Sequence, residues 1–155
     1  MTTAPDTTDY RLPDTLQGIY DAVARHLLAQ GAVSVATLPH GGIGCAYRGD
    51  NGLKCAIGAL IPDELYYPEM EGMGGLAVLS SIRLLDFNKH DREWVAARAD
   101  LLIALQRAHD DAHGVLPRRV LPFWEQRLAS IAETFGLRPF TRAMLETCDA
   151  STPRA

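Results

Sequence analysis

Leu16, Ile19, Tyr20, Val23 and Leu27 recur at the spacing that lines one face of an α-helix. Asp14 with Gln17 three residues on fits a capping box at its start, and Gly31 fits its end, where glycine readily takes the left-handed conformation. The same period in Leu76, Leu79, Ile82 and Leu85 predicts a helix ending near Phe87. Trp94, Leu101, Leu105 and Ala108 predict a long helix, capped by Asn88 or Asp91 and reaching about Ala112. Gly114 and Pro117 break it; Phe123, Leu128, Ile131 and Phe135 mark a further helix stopped by Gly136, and 141–147 fits a short last one.

Between the first two helices the pattern changes. Residues 32–38 alternate weakly, as a short strand would, before the breaker cluster Pro39-His40-Gly41-Gly42. In the stretch from Cys45 to Cys55, Asn51-Gly52 is a type I′ turn signal, because both central residues of that turn need positive φ, and it predicts a small hairpin. The apolar run 56–61 fits a buried strand or the first turns of a helix equally, 62–66 reads as a helix start with acidic residues near the positive dipole end, and 70–75 as a flexible loop. The expected architecture is α+β, a mainly α-helical single domain over residues 13–148 with a small β-hairpin packed against the bundle. Residues 1–12 and 149–155 carry no apolar period and are expected as flexible tails.

Composition narrows the function classes. A chain of 155 residues buries roughly 70% of its unfolded surface and needs neither disulfide nor metal to fold. Apolar residues at 47% and charged residues at 22% describe a globular domain, not a disordered one. A net charge of −4 opposes a broad polyanion-binding surface, so nucleic acid is not the expected partner, and Arg118, Arg119 and Arg127, without interleaved aromatics, read as a solvated face. Three cysteines, Cys45, Cys55 and Cys148, are too few and odd in number for a secreted disulfide framework. With no signal-peptide blocks and no membrane-length apolar run, the expected location is the cytoplasm and no membrane partner is expected.

Cys55 is the thiol best placed for chemistry, since a cysteine at a helix N-terminus has its thiolate stabilised by unpaired N–H groups. His109 is its candidate base, Asp110 the orienter, and Gln106 a side-chain donor for an oxyanion. Against this stands the reading that Cys45 and Cys55 fill small core volumes across a hairpin. A metal site from Cys45 and Cys55 with His40, His90 or His109 lacks the paired spacings of zinc ligands, so no metal is expected. The glycines between 49 and 75 match neither the dinucleotide nor the P-loop pattern, and no cofactor is expected. Tyr66, Tyr67, Met70 and Glu71, amid further acidic residues, compose a candidate protein-binding surface. Arg48 beside the glycine-rich turn is a candidate anchor for a small anion.

The motif Cys45-x-Tyr47-Arg48-Gly49, then Gly52-x-x-Cys55-Ala56-x-Gly58-x-Leu60-Ile61-Pro62-Asp63, then Tyr66 and Met70-Glu71-Gly72 resembles small accessory proteins of tailed phages and prophages. Leu105-Gln106-x-x-His109-Asp110 and Ile131-Ala132 with Gly136-Leu137 are similar to that group's C-terminal half. The group has no settled activity, and at the position of Ala59, where its members often carry another cysteine, this chain has alanine, which weakens a multi-cysteine metal site. The resemblance implies a protein made inside a bacterial cell during infection or from a prophage. The leading expectation is a noncatalytic binding protein that modulates a host or phage protein. The alternatives are a cysteine-dependent hydrolase or transferase using Cys55, His109 and Asp110, and a binding protein for a small anionic ligand.

Overall fold

The computed structural model describes residues 10–86 and 88–150, the last four by backbone alone. The described residues form five α-helices and one two-stranded antiparallel sheet: α1 (Leu16–Gln30), β1 (Val35–Thr37), β2 (Ile43–Cys45), α2 (Gly75–Ser81), α3 (Arg92–Asp110), α4 (Pro117–Phe135) and α5 (Ala143–Ala150). The architecture is the expected α+β, mainly helical, with one small hairpin. The expected tails lie largely outside the described residues, although Leu12 is buried in the core.

Helices α1, α3 and α4 pack on one another through their apolar faces. Ile19, Leu27, Leu101, Leu102, Leu105 and Leu128 are fully buried there, each such aliphatic side chain contributing about 1.5–3 kcal/mol relative to exposure. Two polar groups inside the core are satisfied on backbone. The Tyr20 hydroxyl donates to the Leu128 carbonyl (2.9 Å) and accepts from the Phe140 amide (3.2 Å), and the Trp124 indole donates to the Ala108 carbonyl (2.9 Å).

Helix boundaries differ from expectation where capping has alternatives. Thr15, not Asp14, caps α1 through its hydroxyl on the Gly18 amide, and Gln17 turns outward to bind both backbone groups of Arg138. Pro117 does not merely stop a helix; it starts α4, where a missing N–H costs nothing. Helix α2 closes at Ser81, six residues before Phe87, in a Schellman turn: the Arg83 amide reaches the Ser80 carbonyl and the Leu84 amide the Leu79 carbonyl. Its left-handed residue is Arg83 (φ 60°), a position usually held by glycine, and a side chain there costs about 1–2 kcal/mol. The apolar period ran past the helix because Ile82 and Leu85 are buried from within the turn.

The hairpin lies elsewhere than its strongest turn signal indicated. Val35 pairs with Cys45, Ala36 with Gly44 and Thr37 with Ile43, joined through the breaker cluster at 39–42. Asn51 (φ 61°) and Gly52 (φ 74°) do take the positive φ of a type I′ turn, closed by the Leu53 amide on the Asp50 carbonyl. Beyond the Gly49 amide on the Leu53 carbonyl no strands continue from it, because the next residues pair with side chains: the Tyr47 and Arg48 amides go to Glu71, and the Lys54 amide and carbonyl go to Gln30. The run 56–61 is neither strand nor helix but a single 3-10 turn, Gly58–Leu60. Further 3-10 turns at Asp63–Leu65 and Pro68–Gly72 replace the expected helix start and loop.

Candidate functional site

Segment 45–72 has little regular structure, so its backbone groups need partners from elsewhere. Helical side chains supply them. Gln30 of α1 accepts from the Lys54 amide (2.9 Å) and donates to its carbonyl (2.9 Å), where the His26 ring nitrogen Nε2 also donates (3.0 Å). Gln106 of α3 accepts from the Ile57 amide (2.9 Å). Within the segment, one Glu71 carboxylate receives the Tyr47 amide (3.0 Å), the Arg48 amide (2.9 Å) and the Tyr66 hydroxyl (2.8 Å). The Arg48 guanidinium donates to the carbonyls of Tyr47 (3.2 Å), Gly58 (2.6 Å) and Ile61 (2.7 Å) and to Asp63 (2.9 Å). Gly58 passes so close to the Tyr47 carbonyl that a Cβ would overlap it.

Arg48 is therefore engaged inside the fold, and the anion-anchoring role expected of it would require breaking these bonds. Lys54 and Arg48 together hold the exposed Asp63 carboxyl below its usual range. Of the candidate contact residues, Met70 is fully buried, Tyr66 and Glu71 are half-buried, and Tyr67 is exposed. Burial and the hydrogen bond to Glu71 push the Tyr66 phenol up to about 12.

The candidate catalytic residues are brought together in part. His109, fully buried and stacked on Trp124, lies 3.0 Å through Nδ1 from the Asp110 carboxylate. Its Nε2 faces the Ser34 amide at 2.9 Å. A backbone N–H can only donate, so Nε2 is the acceptor and Nδ1 carries the proton that goes to Asp110. Both ring nitrogens are occupied, leaving no free lone pair for a thiol proton. Burial raises the Asp110 pKa, but the hydrogen bond from His109, with hydrogen bonds from Gln106 and Cys45, brings it below the usual carboxylate range.

The thiol in this group is Cys45: its sulfur, a His109 nitrogen and an Asp110 oxygen all lie within 4.8 Å of one another. Cys55 sits apart, accepting the Gly58 amide (3.3 Å) and bonded to the Gln106 side chain. Burial pushes both thiols up to about 12, further than the amides around Cys55 lower it, so both are protonated at neutral pH. Gln106, considered as an oxyanion donor, spends its oxygen on Ile57 and its nitrogen on Asp110 (2.8 Å). Sequence reasoning weighed Cys45 beside His109 only as a metal ligand, took Cys55 for the thiol of the catalytic group, and missed Ser34 altogether. The signal was the weak strand at 32–38, whose pairing sets Cys45 opposite Val35 and so beside the residue that His109 holds.

Cys45, His109 and Asp110 are the type of residues that bind zinc, but the imidazole is turned the wrong way. A metal-bound histidine gives one nitrogen to the ion and donates a proton from the other. Here the nitrogen away from Asp110 meets a donor, which fixes the proton on the nitrogen facing Asp110, where a metal shared with that carboxylate would sit. The group fits a hydrogen-bond network around the Asp110 carboxylate better than a metal centre.

No helix among the described residues is long and apolar enough to cross a membrane. No protein-family model, curated protein or solved structure matches the chain.

Proposed function

We propose that the chain is a noncatalytic binding protein that acts in the bacterial cytoplasm on a protein of the host or the phage. The observation that carries this reading is the occupation of the reactive groups by the fold itself: the buried Cys55 sulfur accepts the Gly58 amide, and both nitrogens of His109 are bonded. Besides Pro68 and Gly72, segment 62–72 exposes Asp63, Glu64, Tyr67 and Glu69, an aromatic among carboxylates. That composition suits a partner presenting an apolar pocket rimmed by basic residues. The phage setting rests on the resemblance of the motif between Cys45 and Gly72.

Benzoylphenylalanine placed at position 67 and irradiated in bacteria infected with a tailed phage should yield a discrete cross-linked species. The same group in place of the exposed Thr134 on α4 should not. A pattern at position 67 indistinguishable from that at 134 would overturn the proposal.

The alternative cysteine-dependent hydrolase or transferase retains one favourable observation, the convergence of a thiol, an imidazole and a carboxylate at Cys45, His109 and Asp110. It requires the Ser34 amide to release His109 before the imidazole can accept a proton.

A further inference from the structure

On another part of the molecule, residues 10–14 and the turn after α2 border a cleft of about 420 Å³ that also reaches the start of α3. Its size falls within the range of small-ligand sites. Three exposed cations line it, Arg11, Arg83 and Lys89, and among the described residues none of them has a carboxylate partner. Unpaired cations converging on a concavity raise the local potential for an anion, in a chain whose overall charge is negative.

Two further features restrict the anion. Asp14 and Asp86 also line the cleft, so a purely anionic ligand would meet repulsion, whereas one carrying hydroxyl or amino donors would satisfy them. His90 stacks on Trp94 with ring centroids 3.7 Å apart, and the Arg98 guanidinium lies 3.6 Å from the same Trp94 ring. Both faces of Trp94 are thus covered, and His90 is the ring left to stack on a planar group. Arg98 also donates to the Asp14 carbonyl (2.7 Å), while its buried Nε has no partner among the described residues.

Arg83 ties the cleft to a backbone anomaly. It holds the left-handed position of the α2 Schellman turn, where glycine would be the easier residue, and its side chain contributes to the cleft wall. A residue kept in an unfavourable conformation points to a use for its side chain. We propose that the cleft binds a nucleoside monophosphate, its phosphate on Arg11, Arg83 and Lys89, its sugar or base donors on Asp14 and Asp86, and its ring on His90. This site is separate from the face at 62–72, and its failure would leave the partner proposal standing.

Titration of the full chain with adenosine monophosphate, followed by calorimetry and thermal melting, tests it. The nucleotide should raise the melting temperature more than inorganic phosphate or adenosine at the same concentration. Arg83→Gly should lose at least about tenfold in affinity while melting, without ligand, no lower than the parent, since glycine suits the turn. The unchanged or raised melting point separates loss of binding from loss of fold. Absence of any nucleotide effect, an equal effect of phosphate alone, or undiminished affinity in Arg83→Gly would each overturn the proposal.

Discussion

The helical frame of α1, α3 and α4 and the segment 45–72 are held together by different means. In the frame each backbone group finds its partner four residues away, leaving side chains free to interdigitate, and the core is aliphatic with isolated polar ties at Tyr20 and Trp124. In the segment, Gln30, Gln106, Glu71 and Arg48 take the place of a neighbouring strand. Polar residues that composition associates with a site can thus be the means by which an irregular chain is kept in place.

The contrast is most exposed to failure at Arg48. Arg48→Ala removes a donor from three carbonyls, of which, among the described residues, Gly58 alone keeps another, the Ile61 amide, and should lower unfolding free energy by about 3 kcal/mol. Arg48→Lys should recover less than half of the loss, because an ammonium cannot span the same acceptors. Urea unfolding measures both, and a loss below about 0.5 kcal/mol for the alanine variant would put Arg48 among ordinary surface residues. Glu71→Gln, which turns an acceptor for three donors partly into a donor, should cost about 1–2 kcal/mol in the same assay.

The smallest effect is expected at His26. Burial pushes its pKa below the ordinary histidine value, more strongly than its bond to the Lys54 carbonyl raises it, and nearby positive charge lowers it further. The unfolded chain therefore binds the proton more readily. The stabilisation is present above the unfolded value of about 6.5 and is lost as pH falls through the lower folded value. Urea midpoints compared on the two sides of that window should fall less in His26→Gln than in the parent; an equal fall would show that other groups carry the dependence.

The frame was legible because its apolar residues repeat at the helical period, a local property. So was the pairing of His109 with Asp110, since they are adjacent in sequence. The positive-φ turn at Asn51-Gly52 was also legible, but not the absence of strands around it, because Glu71 lies about twenty residues further on and Gln30 as far before. Cys45 beside His109 depends on strand pairing, which the short alternation at 32–38 did not specify. Met70 and Tyr66 were candidates for a surface by composition alone, and composition does not say which way a side chain points.

The clamps at Gln30 and Gln106 have one more consequence. An amide carries no charge for dissolved ions to screen, and the atoms these two grip, on Lys54 and Ile57, belong to the main chain. The attachment of the segment to α1 and α3 at these points is therefore indifferent to ionic strength. The exposed contacts of Asp63 with Arg48 and Lys54 are not, and added salt weakens that edge of the segment first.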